Sequence, residues 1–271
     1  MERLATLPST TLAYEIAGSG PPLVWCHGLA SCREGDRDVI DAFAAHFTVL
    51  AFDARGHGRS APVRHESGFA YPLLSRDLRE LLDHVGWSRA ILVGASMGAA
   101  TAARVAMEEP ARADALIMVR PGSDGGPAPE HLQVLFRLGA AAIRSGGLDQ
   151  AIEFLMTIPE ARDAVERDPK RLERLREDWG RHDPLSIAAA LEGIPPSPPM
   201  SAGDDPAAIV APALVIPGND PIHSTEAGRA VAAMIPSARM TEPIDARARD
   251  EETMRMVQIV LAFLRDAHVL D

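Results

Sequence analysis

Four apolar residues, Ala90-Ile91-Leu92-Val93, run without a spacer into Gly94-Ala95-Ser96-Met97-Gly98, and a helix-forming row of small residues, Ala99 to Met107, follows at once. A short apolar run of this kind is a buried strand, and the two glycines mark a turn too tight for side chains on either flank. A chain that passes from buried strand to helix in this way builds a layered α/β architecture, with the turn at the edge of the sheet. Ser96 is held outward at the tip of that turn. The free N–H of Met97 and the helix dipole favour negative charge there, which makes Ser96 a candidate nucleophile and Met97 a candidate oxyanion donor.

The rest of the chain repeats the alternation. Strand-like runs at Thr11 to Ile16, Leu23 to Cys26, Thr48 to Phe52, Ala115 to Val119, Ala213 to Ile216 and Ala238 to Glu242 interleave with helical segments at Asp36 to His46, Tyr71 to Val85 and Glu251 to Ala267. This order predicts a mostly parallel central sheet flanked by helices. After Pro121 the strand-like runs stop. Helical segments at Glu130 to Ser145, Leu148 to Thr157, Asp168 to Asp178 and Pro184 to Leu191 succeed one another, and a proline-rich linker from Ile194 to Met200 closes the series. The expected organisation is one α/β core, residues 1–120 and 206–271, carrying a helical cap insertion at 121–205. A chain of 271 residues suits a single large α/β domain of this kind.

Lys and Arg number 27 against 38 Asp and Glu, and a net charge of −11 argues against a surface that neutralises phosphates. Nucleic acid is not an expected partner. The two cysteines, Cys26 and Cys32, are too few for a disulfide framework or a paired-cysteine zinc site, so no metal is expected and a reducing compartment is. The N-terminus lacks a signal-like apolar run, and no stretch approaches the ~20 apolar residues of a membrane span. The expectation is a soluble, cytoplasmic protein with no membrane partner. Oligomeric state is not legible in the pattern.

A second chemical signal lies at the end of the Leu23 to Cys26 run, in His27-Gly28-Leu29. Gly28 permits close backbone approach, so the Leu29 N–H is placed to serve as a second oxyanion donor opposite Met97, with His27 bracing the loop. His27, Gly28 and Cys32 are expected to line the substrate pocket. The segment Asp53-Ala54-Arg55-Gly56-His57-Gly58-Arg59-Ser60 has glycines at dinucleotide-like spacing. Pro62 and the polar run to Ser67 deny it the helix that a pyrophosphate needs, and no cofactor is expected.

HGLA, DARGHGRS and GASMGAA, in this order and spacing, resemble the α/β-hydrolase fold superfamily. The resemblance is close over the first 120 residues and looser beyond. It implies a serine nucleophile at Ser96, a backbone oxyanion hole, no metal or organic cofactor, and a carboxylate after the strand that follows the cap. That carboxylate is Asp220 in Pro217-Gly218-Asn219-Asp220-Pro221, with Asp124, after the preceding strand, as the alternative.

The resemblance also implies a histidine in the loop after the last strand, and this sequence departs from it: no histidine occurs between Ser224 and Ala267. A serine hydroxyl needs a base in hydrogen-bond reach. Three readings stand. His223 supplies the imidazole from a neighbouring loop; or the base is absent and the pocket performs non-hydrolytic chemistry (lyase, cyclase or isomerase) or only binds a ligand; or a histidine has been replaced near Ala246 or Ala248. His131 and His182 fall in the insertion, where surface positions are expected, and His268 follows the final helix. The function read from the sequence is hydrolysis of a small or medium ester, lactone or related acyl compound by Ser96, His223 and Asp220.

Overall fold

The computed structural model describes residues 2–168, 170–244 and 249–270. Eight strands form one sheet: β1 (Arg3–Thr6), β2 (Thr11–Gly18), β3 (Pro22–Cys26), β4 (Thr48–Phe52), β5 (Ala90–Ala95), β6 (Ala113–Val119), β7 (Ala213–Ile216) and β8 (Ala238–Met240). Their order is β1-β2-β4-β3-β5-β6-β7-β8. The first two pairings, β1 with β2 and β2 with β4, are antiparallel, and every later one is parallel. This is the mostly parallel α/β sheet that the alternating runs predict.

The helices are α1 (Arg37–Ala44), α2 (Tyr71–Val85), α3 (Met97–Glu108), α4 (Glu130–Leu155), α5 (Pro159–Arg167), α6 (Lys170–Trp179), α7 (Pro184–Gly193), α8 (Thr225–Met234) and α9 (Arg249–Asp266). Both sheet faces are covered, which is why the central strands read as unbroken apolar runs. Val24, Leu92 and Leu116 pack with Leu78 of α2 and Ala102 of α3 on one face; Trp25, Val93 and Ile117 pack with Phe43 of α1 and Val260 of α9 on the other. Helix α2 begins at Tyr71 as its periodicity predicts and ends at Gly86, whose φ of 76° gives a left-handed cap.

Helices α4 to α7 lie between β6 and β7 in the chain, as the helical stretch after Pro121 predicts. The two segments expected before residue 157 form one element with a break at Gly146 and Gly147. Three elements were not expected. Strand β1 buries only Ala5, α5 is dominated by charged residues, and α8 buries only Gly228 and Val231, so none carries an apolar pattern strong enough to read. No helix among the described residues is long and apolar enough to cross a membrane.

The topology places the chemistry. Strands β3, β5, β6 and β7 are adjacent and parallel, with Cys26 level with Gly94, Ala95 with Val119, and Val119 with Ile216. The segments that leave their carboxyl ends therefore meet along one edge of the sheet, the place where open α/β sheets bind ligands. Those segments hold His27 to Leu29, Ser96, Gly122, and Asp220 to His223.

Candidate active site

Ser96 sits between β5 and α3 with φ of 51° and ψ of −113°, a conformation that side chains seldom adopt. The flanking glycines are required by contact. A β-carbon at Gly94 would lie 2.2 Å from the Gly98 carbonyl oxygen, and one at Gly98 would lie 2.0 Å from that of Cys26. The Ser96 N–H donates to the Val119 carbonyl at 2.9 Å, tying the turn to β6.

The loop after β7 delivers an imidazole to this serine. His223 Nε2 lies 3.0 Å from Ser96 Oγ, and Nδ1 lies 3.1 Å from each carboxylate oxygen of Asp220. The loop is shaped by the same carboxylate: Asp220 Oδ1 accepts the backbone N–H groups of Ile222 and His223, each at 2.9 Å. One residue later Ser224 caps α8, its Oγ accepting the Ala227 N–H at 3.1 Å.

Burial by itself raises the Asp220 carboxyl. The hydrogen bond and charge of His223, with the N–H groups of His223 and Ile222, together outweigh it and hold the carboxyl down at about 2. An ionised Asp220 is acceptor-only, so it keeps the proton on Nδ1 and leaves Nε2 to accept from the Ser96 hydroxyl.

Leu29 and Met97 line the cavity in front of Ser96. Met97 is the first residue of α3, so its N–H has no acceptor one turn back in the helix. The Leu29 N–H likewise has no partner among the described residues. The loop that carries Leu29 is held by two contacts from the Asp53–Ser60 segment and one of its own. Ala54 N–H donates to His27 Nε2 at 2.9 Å, His27 Nδ1 lies 2.7 Å from the Gly28 carbonyl, and Ala30 N–H donates to His57 Nε2 at 3.3 Å.

Two of the three expected pocket residues face elsewhere. His27 braces the loop and lines a separate small cavity beneath the turn with Arg55, Leu74 and Asp77. Cys32 is buried among Gly35, Asp53 and Asp178, and burial pushes its thiol up to about 11. Gly28 does lie beside the serine: a β-carbon there would be 3.7 Å from Ser96 Cβ. Asp124 is exposed and accepts the Gly126 N–H at 3.1 Å, and among the described residues no hydrogen bond joins it to His223. His131 is exposed on α4, and His268 is exposed at the end of α9. Ala246 and Ala248 lie outside the described residues.

His182 overturns the expectation of a surface position. It is 6% exposed, its Nδ1 accepts the Gly58 N–H at 2.8 Å, and its ring meets that of His57 edge-on at 5.7 Å. Burial and then the neighbouring His27 hold it at about 4, below its ordinary 6.5, and burial lowers His57 as well. Both rings stay neutral in the folded protein while the unfolded chain takes up protons below pH ~6.5. Stability is therefore full above that pH and declines toward pH 4, His182 accounting for about 3 kcal/mol of the decline at its lower end. His182→Asn keeps an acceptor for Gly58. Urea unfolding between pH 7 and pH 5 is expected to show a flatter decline for this variant, and identical slopes would refute the assignment.

The cavity itself is open to solvent and, besides Leu29, Ser96 and Met97, is lined by residues that carry no sequence motif, among them Tyr71, Gly122, Leu132, Phe136, Ile194 and Ile222. Gly122 was readable as the first small residue beyond β6. A β-carbon there would stand 3.6 Å from Ser96 Oγ and 3.8 Å from His223 Cδ2.

The sn-1-specific diacylglycerol lipase ABHD11 of Xenopus laevis is 34% identical over 133 residues, 48% of this chain and 40% of that protein. Soluble epoxide hydrolase of Corynebacterium sp. (strain C12) is 39% identical over 89 residues, 33% of this chain and 30% of that protein. The chain thus spans less than half the length of these curated relatives. The crystal structure of the enol-lactonase from Burkholderia xenovorans LB400 superposes with a TM-score of 0.82 at 25% identity, covering 97% of this chain and 100% of that one. A thermophilic esterase from Thermogutta terrifontis gives 0.81 at 24% identity, covering 99% of both chains. The family described as alpha/beta hydrolase fold matches residues 21–178, from the start of β3 through the strained serine turn and into the inserted helices. The shared fold, the serine turn and the extent of that match lead to one conclusion: the chain belongs to the alpha/beta hydrolase fold family.

Proposed function

We propose that the protein is a serine hydrolase of small or medium esters, lactones or related acyl compounds. The observation that carries this reading is the chain of contacts from Ser96 Oγ to His223 Nε2 at 3.0 Å and from His223 Nδ1 to Asp220 at 3.1 Å. The names of the relatives, a lipase, an esterase and an enol-lactonase, agree with it. Residues 121–205 act as the cap, since Leu132 and Phe136 of α4 and the Ile194 to Pro199 linker close the cavity over Ser96.

In this mechanism Ser96 Oγ attacks the carbonyl carbon as His223 Nε2 takes its proton. The imidazolium so formed is stabilised by Asp220, and the carbonyl oxygen, now negative, is held by the N–H groups of Met97 and Leu29. Collapse of the tetrahedral intermediate breaks the bond to the leaving alcohol, which takes the proton from Nε2. Water then adds to the acyl-serine by the same route, giving the acid and free Ser96. The alternative of a pocket without a base has no observation in its favour once an imidazole stands within hydrogen-bond distance of the hydroxyl.

A fluorophosphonate probe tests the proposal. Stoichiometric labelling of the Ser96 peptide with parallel loss of p-nitrophenyl butyrate hydrolysis is the expected result. An unlabelled protein that turns over no short-chain ester would overturn it.

A further inference from the structure

The wall of the cavity in front of Ser96 carries no charged side chain among the described residues. An ionised substrate would lose its hydration there without gaining a counter-charge, so the cavity suits uncharged compounds. Its apolar lining is interrupted by a few hydroxyls, those of Tyr71, Ser123 and Ser197 besides Ser96 itself.

Tyr71 differs from the other two in being locked in the core. It opens α2, is 8% exposed, and packs within the cluster that includes Leu74 and Leu78. Its backbone N–H is used, donating to Ser197 Oγ at 3.1 Å, whereas no described residue hydrogen-bonds its hydroxyl. That hydroxyl is not among the polar atoms sealed away from water, so the cavity it lines is where it finds a partner. Burial favours the protonated phenol, which keeps it a donor. A buried aromatic residue with few rotamers and one unused donor is a fixed recognition group.

We infer that the Tyr71 hydroxyl is a substrate-binding donor that selects uncharged acyl substrates carrying a second oxygen acceptor, such as an ether, ketone or hydroxyl, apart from the scissile carbonyl. This rests on the hydrolase reading of Ser96. An all-alkyl substrate would displace water from the phenol and leave it unpaired; an added acceptor would satisfy it. Sites built to hydrogen-bond a substrate discriminate in this way against analogues that lack the group.

The test uses pairs of esters of equal length in which one methylene is replaced by an ether oxygen, moved stepwise along the acyl and the alcohol chain. The ratio of kcat/KM for the ether ester to that for its alkyl partner cancels enzyme concentration. Comparing that ratio between the wild type and Tyr71→Phe also cancels intrinsic reactivity. At one ether position the ratio is expected to fall about five- to tenfold in Tyr71→Phe, the size of one hydrogen bond. In the wild type, a half-ester of a dicarboxylic acid is expected to react at least about tenfold more slowly than the matching methyl diester. Turnover with the same ratio in both proteins at every position overturns the role of Tyr71, and equal rates for half-ester and diester overturn the preference for uncharged compounds. No turnover of any ester, together with no phosphonate labelling, overturns the hydrolase reading and this inference with it.

Discussion

Ser96→Ala is expected to lower kcat toward a small activated ester by ~10⁴-fold or more, and His223→Ala by a similar factor, with the double variant no slower than either alone. The non-additivity is the informative part. If Oγ attacks only as Nε2 removes its proton, deleting either atom removes the same step, and what survives is the rate supplied by binding and the oxyanion donors. Asp220→Asn is expected to cost less, ~10²- to 10⁴-fold, because an amide disfavours the required tautomer, although the 41% exposed side chain lets water replace part of its interaction. Rates with p-nitrophenyl butyrate, alongside thermal unfolding to show that each variant is folded, check the set. Independent, multiplying losses from Ser96→Ala and His223→Ala would mean that the 3.0 Å contact is not the reacting one. Full turnover in His223→Ala would mean that His223 is not the base.

The parts of the fold legible in the sequence are those where local pattern and burial coincide. Strands β3 to β6 are covered on both faces, so each is an apolar run that reads the same in isolation as in place. Strand β1 and helix α8 each bury a single side chain, Ala5 and Val231, so their residues carry no comparable signal. The Ser96 turn was legible for a different reason: its glycines answer contacts with backbone alone, four residues on at Gly94 and in the adjacent strand β3 and its loop at Gly98.

The residues around the turn depend on contacts distant in sequence. His223 stood out as the one histidine beyond the insertion apart from His268, yet its approach to Ser96 spans 127 positions and depends on how Asp220 gathers the N–H groups of Ile222 and His223. His182, 124 positions from Gly58, was read as a surface residue because a helix-start histidine beside charged residues has no local mark of burial. Cys32 and His27 follow the right strand and face the wrong way, since proximity along the chain does not fix direction across a loop. The cavity wall is assembled from six separate stretches of chain; the motifs point to Leu29, Ser96 and Met97, whereas Tyr71 and the residues of α4 and the proline-rich linker carry no signal of their own.

Gly98→Ala should be among the most damaging single-atom additions this chain can suffer. Its β-carbon would lie 2.0 Å from the Cys26 carbonyl oxygen, 2.5 Å from the carbonyl carbon and 2.7 Å from the His27 oxygen. All three are backbone atoms of β3 and the loop beyond it, so no side-chain rotation relieves the contact. Helix α3 must move away from a strand that is fully packed on the other side. The expected loss is about 3–5 kcal/mol, or roughly 10 °C in Tm for a chain of this size. Gly86→Ala is the control. Gly86 has φ of 76° with nothing within 4 Å of the added carbon, so only the left-handed backbone is strained, at about 1 kcal/mol. Calorimetry of the two variants separates contact from conformation. Comparable losses would mean that α3 and β3 can part cheaply, and the rigid placement of Ser96 against the Leu29 loop would lose its physical basis. A large loss at Gly98 alone, with turnover of a test ester falling further than the folded fraction, would show that the same close approach that stabilises the turn also aligns Ser96 with the N–H groups of Met97 and Leu29.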